Sequence, residues 1–313
     1  MDKLNLALIC GGTSTERQVS LKSAAQVQDA LDKEKYNILR FDSKTDLDKL
    51  VSNAHRIDIA LIILHGPMGE DGTIQGLLEL LGIPYQGSGV LGSALAMNKA
   101  ASKQLYEFAG LLVPAYEVVR KGDPLQVEAW ICRLGLPIVV KPASSGSSIG
   151  MSIVKSQDGL TEAIAKAFAN DRTVLLEAFI KGVELTCSVI GNEDLKALPL
   201  VEIIPDKMHD FFDYEAKYTP GHTQEICPAR IDDALTEKAQ QYGKMAHRAL
   251  YCKGYSRTDM ILKDREIYII ETNTIPGMTP TSLLPISARA AGMSFAHLLD
   301  ELIRLSLENH IKI

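Results

Sequence analysis

Three side chains on one predicted hairpin have the types and the spacing of a divalent-metal site. Glu271 and Asn273 stand two residues apart on a predicted strand, so their side chains project from the same face. An odd-length turn at 264–266 would place Asp259, on the preceding strand, opposite Glu271. Two carboxylates and an amide oxygen are hard ligands of the kind that Mg²⁺ prefers. The alternative is a solvated hairpin face with ordinary charges, and we favour the metal site because a special Asn-Thr-Ile-Pro-Gly turn follows Glu271.

A second segment has the composition of a phosphate-binding loop. Lys141 ends an apolar strand, and the small residues that follow it at 142–150 would let backbone N–H groups approach phosphate oxygens. The sequence contains no G-x-x-x-x-G-K-[ST] motif, so a P-loop is excluded. An ordinary polar turn explains this segment equally well when it is considered alone.

Further charged residues are suited to a small amino-acid ligand. Glu16 and Arg17 follow a glycine turn at a predicted helix N-terminus, and the Glu16 carboxylate could pair with an ammonium group. Arg257 precedes Asp259 on the same strand face and could make bidentate contacts with a carboxylate or an oxyanion. His65 begins a glycine-containing loop, where a single histidine is more often structural than catalytic, so we assign it a positioning role.

One motif points to a different chemistry. Gly87, Gly89 and Gly92 match the G-x-G-x-x-G dinucleotide fingerprint, which would indicate a nicotinamide-dependent enzyme. The preceding strand, however, comes late in its sheet and is not the first strand of a βαβ unit. A tight turn that begins the following helix is therefore the better interpretation.

The first hundred residues, which must position part of this chemistry, alternate strand and helix patterns. The apolar run 57–64 has the composition of a strand covered on both faces, and the alternation predicts a parallel sheet with helical crossovers. Ligands bind beyond the carboxyl ends of such strands, where 11–17 and 65–73 lie. The predicted strands are 4–10, 57–64 and 83–86, and the predicted helices are 19–31, 73–81 and 90–109.

The rest of the chain predicts α+β structure with antiparallel pairing. We expect three units: an α/β domain at 1–97, an α+β lobe at 98–182, and a second α+β lobe at 183–313 that carries the metal and substrate site. Predicted helices lie at 124–134, 158–169, 232–252 and 294–308, and the main predicted strands are VPAYEVV, LPIVVK, IGMSIV, TVLLEAF, VELTCSVI, LPLVEII, YSRTDMIL and EIYIIETN.

Composition excludes several classes of protein. The 313 residues are 46% hydrophobic, enough to bury a core, and the net charge of −6 provides no field that would attract nucleic acid or an anionic membrane. We expect neither a signal peptide nor a membrane span. The five cysteines are scattered and odd in number, which favours reduced thiols and a soluble, cytoplasmic protein. Cys10 and Cys187 lie in apolar runs, where packing is the expected role.

Six segments, taken together and in order, resemble the D-alanine–D-alanine ligases of the ATP-grasp superfamily. The resemblance covers nearly the whole chain, and it implies an ATP-grasp fold in which the two α+β lobes clasp ATP beside the N-terminal α/β domain. The segments are GGTSTERQVS (11–20), 64–99, KPASSGSSIGM (141–151), DYEAKY (213–218), SRTDM (256–260) and ETNTIPGMTPTSLLP (271–285).

The resemblance implies a nucleotide site and two Mg²⁺ ions, with Mn²⁺ able to substitute. Asp259, Glu271 and Asn273 would hold the metal ions. The residues implied for ATP are Lys99, Lys141 and Lys217 for the phosphates, Glu177 with Ala178, Phe179 and Ile180 for the adenine, and Glu184 for the ribose.

The resemblance also implies the substrates and the reaction. ATP would phosphorylate one D-alanine, the amine of a second would attack the acyl phosphate, and the dipeptide would serve peptidoglycan precursor synthesis. Tyr218 in this family accompanies an amine acceptor, so we expect the dipeptide and not a D-lactate ester. The family also implies a homodimer. The implied residues are Glu16 for the first ammonium, His65 for positioning, Arg257 and Gly277 for the oxyanion, Ser282 and Leu283 for the second carboxylate, and Ser147 with Tyr218 and Glu16 as a latch under a lid at 205–227.

Two rivals share this reading of the fold. Another ATP-grasp ligase could join different amino or carboxylic acids on the same scaffold. A non-catalytic sensor of ATP or amino acids would bind nucleotide without turnover, yet it gives no reason for Asp259, Glu271 and Asn273 to occur together.

Overall fold

The computed structural model describes residues 3–144, 146, 149–205 and 223–308. Within them, the strands form three separate sheets. The strands are Leu4–Cys10 (β1), Tyr36–Asp42 (β2), Ile59–Ile62 (β3), Tyr116–Arg120 (β4), Ile138–Pro142 (β5), Ser152–Val154 (β6), Thr173–Ala178 (β7), Val183–Ile190 (β8), Lys196–Ala197 (β9), Val201–Pro205 (β10), Thr223–Ile226 (β11), Tyr255–Lys263 (β12) and Glu266–Asn273 (β13). The helices are Arg17–Ala30 (α1), Leu47–Asn53 (α2), Thr73–Leu80 (α3), Val90–Met97 (α4), Lys99–Phe108 (α5), Val127–Leu134 (α6), Leu160–Phe168 (α7), Asp233–Ala249 (α8), Leu283–Ala290 (α9) and Phe295–Glu308 (α10).

The N-terminal sheet is parallel, as predicted, with the order β2-β1-β3. All four residues of β3 are buried, which agrees with a strand covered on both faces. Strand β2 was not predicted, because Asn37 and Arg40 interrupt its apolar pattern. The predicted strand at 83–86 is reduced to one parallel bridge between Tyr85 and Ala60.

The other two sheets carry the remaining strands, and their pairing is antiparallel throughout. The central sheet has the order β4-β7-β5-β6, and α6 and α7 contribute to its core. The C-terminal sheet has the order β11-β10-β8-β12-β13, with β9 paired to β8. The predicted α+β character of residues beyond 98 is therefore confirmed.

Helices from one segment pack on sheets of another. Tyr106 of α5 is fully buried in the core of the C-terminal sheet, and its hydroxyl donates to Thr272 Oγ1 of β13 at 2.7 Å. In return, Leu284 of α9 and Leu298 of α10 lie in the core of the N-terminal sheet. The predicted units 1–97, 98–182 and 183–313 each supply one sheet, and the division into domains at these boundaries stays a prediction.

A break at Asn98 contradicts the predicted single helix over 90–109. Asn98 is extended, with ψ of 96°, and its side-chain oxygen accepts from the Ala101 N–H at 3.1 Å. Asparagine is a strong N-cap because this contact satisfies an otherwise unpaired N–H of the first turn. Lys99 is therefore the first residue of α5. It lies at the N-terminal end, where the backbone N–H groups of a helix have no partner within the helix.

The hairpin β12–β13 pairs Asp259 with Glu271 as predicted, but by a different route. The turn is not odd in length: Asp264 and Arg265 form a two-residue turn, with positive φ values of 49° and 65° that suit a hairpin turn. Met260 pairs with Ile269 whereas Asp259 pairs with Glu271, so the residue between, Ile270, is a β-bulge. Without the bulge, Asp259 would face Ile270.

Two cysteines were predicted to pack in the hydrophobic core. Cys10 and Cys187 are both fully buried among apolar residues, so their predicted packing role is confirmed. Burial raises the pKa of the Cys187 thiol to about 12.

No helix in the described ranges combines the length and apolar character needed to cross a membrane.

Helix α8 lies close against β8 at Gly243. A Cβ at Gly243 would lie 2.6 Å from Cys187 Sγ, whereas a Cβ at Gly76 of α3 would meet nothing closer than 3.8 Å. We expect Gly243→Ala to lower the free energy of unfolding by about 1–3 kcal/mol through overpacking. Gly76→Ala, the matched helical control, should raise it by about 0.5–1 kcal/mol.

Urea unfolding followed by circular dichroism measures both variants. Equal effects of the two substitutions would show that the close approach at Gly243 does not limit packing.

Candidate active site

The face of the β12–β13 hairpin carries a network centred on Asp259. Arg257 donates from Nε to Oδ1 at 2.9 Å and from Nη2 to Oδ2 at 2.7 Å, a bidentate pair. Thr186, directly opposite on β8, donates to Oδ1 at 2.7 Å, and Asn273 donates from Nδ2 to Oδ2 at 3.2 Å. The predicted metal ligands Asp259 and Asn273 are thus in contact, with the predicted oxyanion arginine beside them.

Lys99 reaches the other predicted metal ligand. Its ammonium nitrogen lies 3.4 Å from Glu271 Oε2, and both side chains are largely buried. The backbone N–H of Lys99 donates to the carbonyl of Ala143 at 2.9 Å. Because Ala143 lies two residues after Lys141, within the predicted phosphate loop, the start of α5 and this loop are held against each other.

Glu177 lies between two lysines in the central sheet. It is 3% exposed, and its Oε2 is 2.5 Å from the Lys141 ammonium, which extends from the neighbouring strand β5. Its Oε1 is in contact with the ammonium of Lys103, which comes from α5. Burial alone would raise the pKa of Glu177, but the two lysines outweigh burial and hold the pKa below its ordinary value. Glu177 is therefore an ionised carboxylate with a cation on each oxygen.

The residues predicted to bind adenine and ribose lie where the central sheet leads into the C-terminal sheet. The N–H groups of Ala178 and Phe179 donate to the carbonyls of Ala115 and Pro137, at 2.8 and 3.1 Å. Ile180 follows them, and a Cβ at Gly182 would lie only 2.3 Å from the Leu262 carbonyl oxygen. The segment that connects the central sheet to the C-terminal sheet therefore packs closely against β12 at Gly182.

Glu184 lies just beyond this crossing, on β8. It pairs with Ile261, two residues before Thr186 on the same strand face. Since Thr186 contacts Asp259, the predicted ribose ligand shares a sheet face with the predicted metal ligands.

On the N-terminal side, Glu16 and His65 meet at the carboxyl ends of β1 and β3. Glu16 is 5% exposed, and its N–H donates to Ser14 Oγ at 3.2 Å, while the Ser14 hydroxyl donates to the His65 carbonyl at 2.7 Å. Cβ atoms at Gly66 and Gly146 would lie 3.3 and 3.4 Å from Glu16 Oε2. The phosphate loop therefore approaches the predicted ammonium ligand, and the glycines leave the carboxylate room.

His65 is buried beside Glu16 and hydrogen-bonds with the backbone of Ile275, in the loop that follows β13. Within the described ranges, its Nε2 has no hydrogen-bond partner. Burial lowers the pKa of His65, and the Glu16 carboxylate only partly opposes this. A neutral imidazole with an open nitrogen fits the positioning role that the sequence predicts.

The predicted pocket for the second carboxylate is formed by the loop after β13 and the start of α9. Ser282 occupies the N-cap position of α9, and Leu283, its first residue, is buried. Ser282 Oγ accepts from the Thr279 N–H at 3.1 Å. A Cβ at Gly277 would lie 2.9 Å from Ser282 Oγ, so the predicted oxyanion residue and the predicted carboxylate residue are neighbours.

Some charged residues near the predicted site were missed by the sequence analysis or make contacts that it did not predict. Arg17 makes a bidentate pair with Asp42 of β2 and donates to the Gly12 carbonyl at 2.9 Å. Lys103 and Thr186 were missed, although Lys103 is one helical turn from Lys99 and could have been found from that spacing. The predicted residues Ser147, Lys217 and Tyr218 lie outside the described residues, as does 206–222 of the predicted lid.

Glu70 is a further residue that the sequence analysis left unassigned. Its Oε2 accepts from the Gly66 N–H at 2.6 Å. Burial, followed by the nearby Glu16 carboxylate, raises the pKa of Glu70 to about 8. The side chain is therefore a neutral carboxylic acid at neutral pH, which spares the pocket a second negative charge next to Glu16.

The glycine motif at 87–92 has a structural role. Gly87 has a φ of 92°, and Gly89 is the N-cap residue of α4. A Cβ at Gly92 would lie 2.8 Å from the Tyr251 carbonyl oxygen, so this glycine allows α4 to approach the chain just after α8. The interpretation as a tight turn that begins a helix agrees with this geometry.

Taken together, the cations and carboxylates form matched pairs. Lys99 pairs with Glu271, Lys141 with Glu177, and Arg257 with Asp259. In each pair the cation is one that the family resemblance assigns to phosphate or oxyanion, and the carboxylate is one that it assigns to metal or nucleotide. The site can thus exchange internal ion pairs for contacts with a metal–nucleotide complex.

The raised pKa of Glu70 predicts a pH-dependent stability. Between its ordinary value of 4.5 and about 8, the native state binds one proton more than the unfolded state, so stability falls as pH rises through this window. Glu70→Gln should make the fall from pH 5 to pH 8 shallower by roughly 1–3 kcal/mol.

Urea midpoints at several pH values measure the effect, with Glu193→Gln in an exposed loop as the control. Parallel pH curves for wild type and Glu70→Gln would show that Glu70 ionises normally in the folded protein.

Comparison with known proteins agrees with this geometry. A family model described as the D-ala D-ala ligase N-terminus matches residues 5–48 and 42–88, and one described as the D-ala D-ala ligase C-terminus matches residues 105–304. The D-alanine–D-alanine ligase of Syntrophobacter fumaroxidans is 59% identical over 308 residues, covering 98% of this chain and 99% of the relative. That of Desulfotalea psychrophila is 55% identical, covering 98% and 96%.

Solved structures show the same fold. The crystal structure of the D-alanine–D-alanine ligase from Bacillus anthracis complexed with ATP matches with a TM-score of 0.86 and 38% identity, covering 97% of this chain and 98% of that one. The VanG D-Ala:D-Ser ligase from Enterococcus faecalis matches with a TM-score of 0.86 and 32% identity, covering 97% and 100%. The predicted ATP-grasp fold is confirmed, and the chain belongs to the D-alanine–D-alanine ligase family.

Proposed function

We propose that this protein joins two D-alanines at the expense of ATP, releasing ADP and phosphate, and so supplies the dipeptide for peptidoglycan precursors. The observation that carries the proposal is the convergence of three cation–carboxylate pairs beside the Glu16 pocket. The named relatives over the full chain length support the choice of substrate.

The reaction requires activation of a carboxylate, because its oxygen is a poor leaving group. Transfer of the γ-phosphoryl group to the first D-alanine gives an acyl phosphate, and attack by the second amine forms the peptide bond and expels phosphate. Phosphoryl transfer depends mainly on positioning and charge neutralisation, so it needs cations and bound metal and no strong nucleophile on the protein. The site has this character, with Lys99, Lys141 and Arg257 as its cations.

Asp259, Glu271 and Asn273 are the residues that would hold Mg²⁺, or Mn²⁺ in its place, and two ions fit the family pattern. Their donor set is suitable, since it provides two carboxylates and an amide oxygen from adjacent strands. When bound, the metal would neutralise charge on the phosphates. Asp259 would then contact the metal instead of Arg257, and Glu271 would contact the metal instead of Lys99. Arg257 and Lys99 could then contact substrate oxygens.

ATP would lie between the central and C-terminal sheets. Lys99 and Lys141 would contact the phosphates together with Lys217, and residues 178–180 with Glu177 would border the adenine, with Glu184 at the ribose. The loop after Lys141 touches both the start of α5 and Glu16, which supports phosphates placed next to the first D-alanine.

The amino acids would occupy the pocket between Glu16 and the start of α9. Glu16 would pair with the ammonium of the first D-alanine, and His65 would position it. Arg257 and the Gly277 N–H would stabilise the tetrahedral oxyanion, and donors of this kind contribute roughly 3–4 kcal/mol each in oxyanion holes. Ser282 and the first turn of α9 at Leu283 would bind the second carboxylate, since a helix N-terminus favours an anion.

Ser147 and Tyr218 would complete the closure of the site as a latch with Glu16, under a lid that includes 205–227. Water must be excluded because it would hydrolyse the acyl phosphate. A homodimer is the assembly that we propose.

For the second substrate, D-serine is a specific alternative to D-alanine. The similarity to a D-Ala:D-Ser ligase shows that related chains with this fold accept other second substrates. Tyr218 supports an amine acceptor over D-lactate, and the full-length relatives support D-alanine over D-serine.

Phosphate release from Mg·ATP tests the proposal directly. We expect release to require D-alanine, to be absent with L-alanine, and to stop when EDTA removes divalent metal. D-Alanine should also exceed D-serine and D-lactate as the second substrate at neutral pH.

Asp259→Asn serves as the matched variant, and it should retain its fold by circular dichroism while losing turnover, because it removes one predicted metal carboxylate. Turnover that persists in EDTA would contradict the metal site. Nucleotide binding without turnover under any condition would favour the sensor reading.

A further inference from the structure

Lys103 is a charged side chain that the reaction as proposed does not use. It stands one helical turn after Lys99 on α5, and it is fully buried. Its ammonium contacts Glu177 Oε1, while Lys141 contacts Glu177 Oε2 at 2.5 Å. The ring of Tyr116 lies 5.6 Å from the Lys103 nitrogen. A single buried carboxylate is therefore held by two lysines and not by one.

The arrangement matters because Lys141 has two competing partners. In this structure it is paired with Glu177, whereas the proposed function requires it to contact a phosphate. If Lys141 were the only cation at Glu177, its departure would leave a carboxylate that is 3% exposed without a counter-charge. Removing one partner of a buried ion pair is strongly unfavourable. Glu177 would then hold Lys141 back from the nucleotide.

We propose that Lys103 is a positioning residue for nucleotide binding: it neutralises Glu177 from within the core and so makes Lys141 available to the phosphate. The inference rests on the proposed function. Burial lowers the pKa of Lys103, and the Glu177 carboxylate opposes this by favouring the ammonium form. With both lysines protonated, the three side chains carry a net charge of +1 for the nucleotide, whereas Lys141 and Glu177 alone would form a neutral pair. Tyr116 supports Lys103 through a cation–π contact, so Lys103 keeps its place when Lys141 moves.

A plain structural role is the competing explanation. Lys103 on α5 and Glu177 on β7 belong to elements that pack in different cores, so their contact also ties the C-terminal and central sheets together. A brace of this kind would affect stability and all kinetic constants alike. Positioning of Lys141 would instead act on nucleotide affinity, and only while Glu177 carries its charge.

A double-mutant cycle separates the two roles. We expect Lys103→Met to raise the KM for ATP and the Kd for Mg·ADP by about tenfold or more, which corresponds to about 1.4 kcal/mol, with a smaller change in kcat. In the Glu177→Gln background, the same substitution should change both constants by no more than about twofold, because the coupling passes through the Glu177 charge. Lys22→Met on the exposed side of α1 is the control lysine substitution.

The cycle stays informative if Lys103→Met folds poorly. Lys103→Met/Glu177→Gln removes one charge of each sign, so it leaves no unpaired buried carboxylate, and thermal unfolding reports on each variant. An equal increase in KM in both backgrounds, or no increase in either, would overturn the inference. Wild-type protein that neither binds Mg·ADP nor turns over ATP would instead overturn the proposed function itself.

Discussion

The pairing of three cations with three carboxylates, all of them predicted site residues within the described part of the chain, is the constraint on which the site depends. Charges at this depth cannot be left without partners, because burial penalises an isolated ion far more than an exposed one. Lys99 with Glu271, Lys141 with Glu177 and Arg257 with Asp259 satisfy one another in the structure. A metal–nucleotide complex carries both signs of charge as well, so it can replace each internal partner with an external one.

The fold meets this constraint by bringing strands and one helix from different parts of the chain to the same place. The bulge at Ile270 puts Asp259 opposite Glu271, and the break at Asn98 starts α5 where Lys99 can reach Glu271. The same helix carries Lys103 inward to Glu177, while Tyr106 anchors it to β13. A predicted phosphate ligand, Lys99, and two fully buried residues, Lys103 and Tyr106, therefore lie on a single helix.

Much of this arrangement could be predicted from the sequence. Period-two spacing placed Arg257 with Asp259 and Glu271 with Asn273, and the alternation of elements gave the parallel N-terminal sheet and the antiparallel lobes. These features are local or follow from a regular pattern, which is why residue types alone are sufficient to predict them.

The errors and omissions share a physical cause. Turn length and bulge compensate for each other at the hairpin, so the correct pairing of Asp259 with Glu271 came with the wrong turn. Lys103 was missed because the burial of its charge depends on a partner, Glu177, that is remote in sequence; only its spacing from Lys99 is a local signal. The raised pKa of Glu70 likewise reflects burial and a neighbouring carboxylate, which no local pattern contains. Tertiary contacts decide each of these features.

A crystal structure with Mg²⁺ and a non-hydrolysable ATP analogue is the most direct test of the exchange of partners. The account predicts that Asp259 and Glu271 coordinate metal while Lys99 and Lys141 contact phosphate oxygens, with Glu177 still held by Lys103. Bound phosphates beside three unchanged ion pairs would contradict it.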